Sequence, residues 1–530
     1  MSEGRSNTGL GRNTAVMAAG TLLSRVTGFA KLVALAYALG FTRFTDTYNL
    51  ANITPNIVYE LILGGVLSAT LIPLFVDQLT RSGSRGPDDE TEAWRAISAV
   101  VTMIGAVVAV LTLAFVVLAP WVIGLYTSGN DTGSADDQQR VATTLLRLFA
   151  PQVAFYAMVS VTTALLNVRR RFAAPMFAPV LNNLIVVGVL LALPHVVDDL
   201  SLAAMVDQPG ALAFLGLGTT AGVVAMALAQ LPSLRRADVH LRPTWDPSHP
   251  AVKAVLRLSG WTFGFVATSQ VALWVTLVLA NGRRGDVAAY QAAQIFFLLP
   301  HGIFAVSVMT ALQPDLAAAW SLGDIDALRQ RIRLGLRTTA AIIVPAAVGY
   351  LCLARPIVNV ALQRGALSAA SASTTGDILA LLAIGLPAFS LYLLLMRVFQ
   401  AMKDTRTVFW LYLVENGVNV VLALALYPSM GARGLALSYS LAYTLGTAVA
   451  LAWLGHRLGG LGRDELARSW ARVAVASAAM AAVVMTVRAL VGPDLVTVVL
   501  GVAAGLAAYV LAARTLAMPE LSALRRIRRG

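Results

Sequence analysis

Residues 15–39 read AVMAAGTLLSRVTGFAKLVALAYAL, an apolar run long enough to cross a bilayer as one helix, with two basic side chains, Arg25 and Lys31, inside it. A fixed cation near the centre of such a helix costs about 2.5–3.5 kcal/mol on insertion scales, so its presence asks for a function. Six positions separate the two residues, which puts them about 240° apart on a helical wheel. They can look into one wide cavity without forming a single stripe. The run is longer than the apolar region of a signal peptide and more spans follow it, so it reads as a retained helix.

The rest of the chain repeats the pattern. Of 530 residues 58% are hydrophobic and only 13% charged, and the mean hydropathy is +0.73. Runs of similar length lie near 47–76, 96–127, 139–166, 173–197, 209–231, 253–280, 286–316, 335–360, 371–400, 407–427, 433–456, 469–491 and 493–514. With the first they make about fourteen transmembrane helices in an all-α polytopic membrane protein. The net charge of +13 does not indicate a nucleic-acid partner, because the Lys and Arg residues punctuate hydrophobic spans instead of clustering on a soluble surface. The single Cys352 excludes an intramolecular disulfide. The five histidines (His195, His240, His249, His301, His456) lack metal-ligand spacing, so no metal or other cofactor is expected.

The charges orient the spans. Arg169 to Arg171, Arg235, Arg236, Arg242, Arg329, Arg331, Arg333, Lys403, Arg406, Arg457, Arg463, Arg468 and Arg525 to Arg529 fall at alternate loops, and an even span count puts both termini on that side, the cytoplasmic one. Arg283, Arg284, Arg355 and Arg364 are exceptions to the bias. The tail at 525–529 reads as an anchor on anionic headgroups of the lipid bilayer.

The chain also repeats internally. LLNVRRRFAAPMFAPVLNNLIVVGVLLALP, from 165, lies on VFQAMKDTRTVFWLYLVENGVNVVLALALYP, from 398, at a shift of 398 − 165 = 233 residues. Arg170 then meets Lys403, Asn182 meets Glu415 and Asn183 meets Asn416. A second echo pairs the segment from Tyr48 with that from Tyr290 and brings Pro73 onto Pro314. Six spans per copy keep the two halves in one orientation, which predicts two pseudo-symmetric six-helix lobes, a substrate path between them and alternating access. The expected division is an N-lobe at 1–240, a C-lobe at 241–458, and a C-terminal helix pair with a basic tail at 459–530. Pro55, Pro151, Pro179, Pro300 and Pro387 are expected to interrupt helices around a cavity. GLGTTAG at 216–222 mimics a nucleotide loop but follows no strand, so it reads as small-residue helix packing.

Seven stretches stand out: SRVTGFAK at 24–31, TDTYNLANITPNI at 45–57, GGVLSATLIPLF at 64–75, LLRLFAPQVAFY at 145–156, ALLNVRRRFAAPMFAPVLNN at 164–183, LPHGIFAVSVMTALQP at 299–314 and MKDTRT at 402–407. By them the chain resembles the MurJ (MviN) lipid II flippases of the multidrug/oligosaccharidyl-lipid/polysaccharide (MOP) exporter superfamily. The resemblance covers nearly the whole chain. It implies fourteen helices, two lobes flanking a cavity, and a C-terminal pair forming a groove for an undecaprenyl tail. It further implies a transporter of the bacterial cytoplasmic membrane that serves peptidoglycan biosynthesis, with lipid II as cargo and cell-wall synthesis proteins as possible partners. By the same resemblance Arg25, Lys31 and Asp46 line the N-lobe side of the cavity as substrate-binding residues. Guanidinium and ammonium groups suit a diphosphate. Pairing of Arg25 and Lys31 with Asp46 or Glu60 is the structural alternative, as is snorkelling of Lys31 to the interface.

The chain departs from that family's pattern in places. Tyr59 and Glu60 stand where many relatives carry a basic pair, Gly64 stands where they carry an acid, and the helix-8 cavity arginine falls near Gln294 or Ile295. Arg147 or Arg397 could make up the charge, and Arg147 reads more readily as a structural residue.

Glu415 and Asn419, four apart on the eleventh span, share one face. A carboxylate in a span points to function, and the resemblance implies a sodium site nearby, although the family's helix-7 acid has no counterpart among Thr268, Ser269 and Gln270. A structural pairing of Glu415 with Arg397, and coupling to protons or to the membrane potential, stay open. The alternative functions are export of another lipid-linked oligosaccharide or small molecule by a MOP-type transporter, and an integral-membrane glycosyltransferase. The last would need paired acids at a membrane interface, which the acidic stretches Asp88 to Glu92 and Asp131 to Asp137 do not supply.

Overall fold

A computed structural model of the chain describes residues 3–61, 75, 87–127, 135–169, 171–237 and 239–520. All regular elements in these residues are helical, and thirteen helices among them are long and apolar enough to cross a membrane. The difference from fourteen arises at the second run. There α2 (Arg43–Tyr59) covers the first part, and 62–74 lies outside the described residues, as do Asp131 and the tail at 525–529. Contacts divide the chain into two compact units, Met1–Val271 and Ala272–Gly530.

In the first unit α1 (Glu3–Leu39) ends at Gly40, whose φ of +61° closes the helix in the left-handed region. Thr42 then caps α2, its hydroxyl accepting from the Thr45 amide at 3.3 Å. There follow α3 (Pro87–Thr127), α4 (Ala135–Phe149), α5 (Gln152–Val168), α6 (Ala173–Val196), the short α7 (Leu202–Val206), α8 (Pro209–Leu228) and the short α9 (Leu231–Arg235). The expected span at 139–166 is two helices. Pro151 offers no N–H to continue the ladder, and the chain turns between α4 and α5.

Small residues and hydroxyls bring these helices close. Asn183 on α6 donates to Thr27 Oγ1 at 3.1 Å and to the Ser24 carbonyl at 3.3 Å on α1. GLGTTAG proves to be a packing face of α8. A Cβ at Gly216 would meet Leu148 at 2.5 Å, one at Gly218 Val189 at 2.6 Å, and one at Gly222 Asn182 Oδ1 at 2.6 Å. Without a hydrophobic force between helices in lipid, such close approach supplies the dispersion contacts. A core of Trp94, Ile97, Val100, Val153 and Leu165 closes the other side, joined by Val252 and Val255 from α10 (Pro250–Ala280).

The second unit continues with α11 (Asp286–Pro300), a π-helical turn at His301–Ala305, and α12 (Val306–Ser321). Then come α13 (Ile325–Leu362), α14 (Ala369–Ala401), α15 (Thr405–Met430), α16 (Ala432–Arg457), α17 (Arg463–Leu490) and α18 (Asp494–Thr515). Of the five prolines expected to interrupt helices, Pro151 lies at a break and Pro300 at the π turn. Pro55, Pro179 and Pro387 lie inside continuous helices. Neighbouring helices and hydroxyls satisfy the freed carbonyls in such packed spans, so a proline alone does not break them. The crossing of α14 and α16 is tight. A Cβ at Gly385 would lie 2.5 Å from Ser440 Cα, and the Ser440 hydroxyl accepts from the Gly385 amide at 3.1 Å while donating to the Leu381 carbonyl at 2.7 Å.

The internal repeat has a counterpart within each unit. Gly222 on α8 faces Asn182 on α6, and Gly446 on α16 faces Glu415 on α15, where a Cβ would sit 3.1 Å from Glu415 Cγ. Asn182 and Glu415, one of the pairs made by the 233-residue shift, thus each meet a glycine of the next long helix.

Candidate functional site

Arg25 is exposed and Lys31 half-buried on α1, and neither has a hydrogen bond or ion pair among the described residues. The alternative pairing with Asp46 or Glu60 is therefore not formed among them. Asp46 sits in the first turn of α2, where the helix dipole favours a carboxylate, and is fully enclosed between Thr45 and Thr47, all at 0% exposure. The three residues assigned to cargo thus divide into two accessible cations and one enclosed acid. Arg147 donates through Nε to the Val116 carbonyl at 3.3 Å, a bond within the protein.

Glu415 lies on α15 at 1% exposure, and its Oε2 has no hydrogen-bond partner among the described residues. It forms no salt bridge with Arg397, which reaches Gln400 instead at 3.5 Å. Asn419, one turn on, accepts from Ser438 Oγ of α16 at 3.1 Å. Around the carboxylate stand tyrosines from four helices, Tyr290 (α11), Tyr392 (α14), Tyr412 (α15), and Tyr439 and Tyr443 (α16), each in electrostatic reach of it. Tyr392 packs edge-on against Tyr412 at 5.5 Å and Tyr443 at 5.4 Å, and Tyr439 lies 4.7 Å from Tyr443. Gln294 donates to Tyr290 Oη at 3.0 Å, so this position of the missing family arginine braces the tyrosine set. The sequence reading did not find these tyrosines. The one local signal was the i, i+4 pair Tyr439 and Tyr443 within an apolar span.

A cavity of about 570 Å³ lies between α13, α17 and α18, lined by Leu353, Met480, Val484, Leu506 and the rings of Tyr350 and Tyr509. Both tyrosine hydroxyls turn away, Tyr350 to the Phe296 carbonyl at 2.8 Å and Tyr509 to the Ala341 carbonyl at 2.6 Å, so the rings offer only carbon to the cavity. Gly501 and Gly505, four apart, form the small-residue face of α18. A Cβ at Gly505 would meet Val484 Cγ2 at 2.7 Å. The one carboxylate in the lining, Glu520, is 4% exposed and accepts from Arg337 Nε and Ser469 Oγ, each at 2.8 Å, while Arg337 also bonds Glu465. Burial alone raises the Glu520 carboxyl, but the hydrogen bonds from its own backbone, Ser469 and Arg337 outweigh it and hold it below the usual carboxylate range. The groove is therefore apolar, with its one acid neutralised.

In fold the chain is similar to a solved "Lipid II flippase MurJ, inward closed conformation", with a TM-score of 0.76 at 19% identity over 94% of this chain and 98% of that one. It is also similar to an inward-facing multidrug resistance MATE family transporter of the MOP superfamily, with a TM-score of 0.66 at 14% identity over 83% of this chain and 95% of that one. The fold is the one these two transporters share. In sequence, the profile of the family described as "Lipid II flippase MurJ" matches residues 35–504. A "Probable lipid II flippase MurJ" of Rhizobium meliloti is 29% identical over 481 residues, 88% of this chain and 85% of its own length. A protein of the same description from Thermotoga maritima is 25% identical over 521 residues, 98% of this chain and 99% of its own. The chain belongs to the MurJ family of lipid II flippases, multi-pass proteins of the inner membrane.

Proposed function

We propose that this chain moves lipid II from the inner to the outer leaflet of the cytoplasmic membrane by alternating access, with both termini in the cytoplasm. The observation that carries the reading is the family match over 35–504, joined to a predominantly apolar groove whose tyrosine hydroxyls and single acid are bound by protein partners. An undecaprenyl tail suits that groove, and Arg25 and Lys31, unpaired among the described residues, suit the diphosphate. Asp46, being enclosed, acts by holding the start of α2. In cells depleted of the protein, lipid II accumulates on the inner leaflet, and Arg25→Ala, inserted and folded, fails to restore growth. Normal externalisation of lipid II without the protein would overturn this reading.

Coupling belongs to the Glu415 pocket in the same proposal. An orphaned buried carboxylate oxygen, the Asn419 amide oxygen and the Ser438 hydroxyl form an all-oxygen donor set that fits a sodium ion or a proton. A bound cation would neutralise Glu415 and let α15 and α16 pack without a naked buried charge. Transport by Glu415→Gln should lose its dependence on the coupling gradient. Transport identical to that of the unsubstituted protein across sodium, pH and voltage gradients rejects the assignment.

A further inference from the structure

The end of α2 carries a different recognition chemistry. Asn52, Asn56 and Tyr59 follow one another at spacings of four and three and so share one helix face, and all three are half-buried. Tyr59 Oη hydrogen-bonds Ser160 Oγ of α5, which fixes the plane of its ring. That ring lies 5.5 Å from the ring of Tyr156, also on α5, tilted by 39°. Both tyrosines are half-buried, so neither residue is fully covered by the protein. Glu60 follows directly, half-buried and in electrostatic contact with Tyr59, and its carboxylate has no hydrogen bond or ion pair among the described residues.

A carboxylate within an apolar bundle is costly, and one without a protein partner is a functional position by default. Two phenol rings with negative faces beside an unneutralised carboxylate select for a cation of low hydration cost, and an ammonium group meets that description. Arg25 and Lys31, the cations of α1, form no ion pair with Glu60, and no other described residue supplies its counter-charge. A lipid-linked glycopeptide offers such a group where its peptide contains a diamino acid.

We propose that Tyr59, Glu60 and Tyr156 form a subsite for the side-chain ammonium of the cargo's peptide, distinct in charge from the basic pair on α1. The inference rests on the lipid II reading above and names which part of the cargo α2 and α5 contact. It makes the free amine of the peptide a specificity determinant.

The test uses the full chain, purified in detergent, and competition against radiolabelled lipid II. Competitors are lipid II with lysine in its peptide, its ε-amine either free or acetylated. The unsubstituted protein should prefer the free amine by about tenfold. Glu60→Gln should abolish that preference and Tyr156→Leu should reduce it, both leaving affinity for the acetylated form unchanged, which also shows that the variants are folded. Equal binding of the two forms by the unsubstituted protein overturns the proposal, as does a Glu60→Gln variant that weakens both equally. Binding of neither form overturns instead the lipid II reading beneath it.

Discussion

Gly349 of α13 allows the groove to be filled without disturbing its walls. It lines the cavity, and no heavy atom of a neighbouring helix or side chain lies within 4 Å of where its Cβ would sit. Gly349→Phe therefore projects a ring into open space, and exchanging an interior helical glycine for Phe gains about half a kcal/mol in helix propensity. The cost falls on the occupant. A prenyl tail entering from lipid gains no hydrophobic free energy, because lipid chains are as apolar as the groove, so what it gains is packing. A ring that displaces on the order of ten carbon contacts, each worth about 0.1–0.2 kcal/mol, removes about 1–2 kcal/mol, or roughly a tenfold loss of affinity. In proteoliposomes the apparent affinity for lipid II with a full-length tail should fall about tenfold. An analogue with a three-isoprene tail should be translocated as before, and the unfolding midpoint should hold. Unchanged affinity for the full-length tail would show that the tail lies elsewhere, and a lowered midpoint would show that the space beside Gly349 is occupied by the protein itself.

Gly385→Ala should be far less tolerated, because its Cβ meets the backbone of Ser440 at 2.5 Å and α14 and α16 must separate to admit it. A loss of about 1–3 kcal/mol is expected in detergent unfolding, and a stability equal to that of the unsubstituted protein would refute the close crossing. Asp404 caps α15, accepting from the Thr407 amide at 3.0 Å and hydroxyl at 2.7 Å, and pairs with Arg457. Burial raises its carboxyl, but these bonds prevail and hold it below the ordinary carboxylate range. A depressed folded value stabilises above the unfolded value of about 3.9 and is lost as pH falls through the folded one. Asp404→Asn keeps a cap and loses the pair, so it should melt below the unsubstituted protein at pH 7, by less than about 1 kcal/mol for so exposed a partner. The gap should close below about pH 4. A gap independent of pH would remove the ion pair from the account.

The run lengths were readable in the sequence because a bilayer leaves the backbone few choices. The span expected at 371–400 is the helix Ala369–Ala401, and the one at 493–514 is Asp494–Thr515. Arg25, Lys31 and Glu415 stood out for the same reason, as charges where charge is expensive. What stayed hidden depends on neighbours. Pro151 breaks its span while Pro387 does not, and nothing within either segment records which carbonyls a packed neighbour will satisfy. The tyrosines around Glu415 come from four helices, and the residues lining the groove from helices far apart in sequence, so neither set forms a motif along the chain.

The repeat joins these two kinds of knowledge. Asn182 and Glu415 occupy matched positions, each facing a glycine of the following long helix, and each leaves a side-chain oxygen without a partner among the described residues, Oδ1 in one and Oε2 in the other. The two copies thus keep the packing and differ in the chemistry: an amide oxygen in the first, a carboxylate ringed by tyrosines in the second. Packing alone accounts for the shared geometry, since the small residue and the close helix approach recur in both. It does not account for the acid, which costs more to bury than the amide and adds no contact the amide lacks. A position where two copies of one fold agree in shape and disagree in charge is where function departs from architecture. That mismatch is visible in the sequence as soon as the two segments are laid together, before any of the tyrosines can be placed.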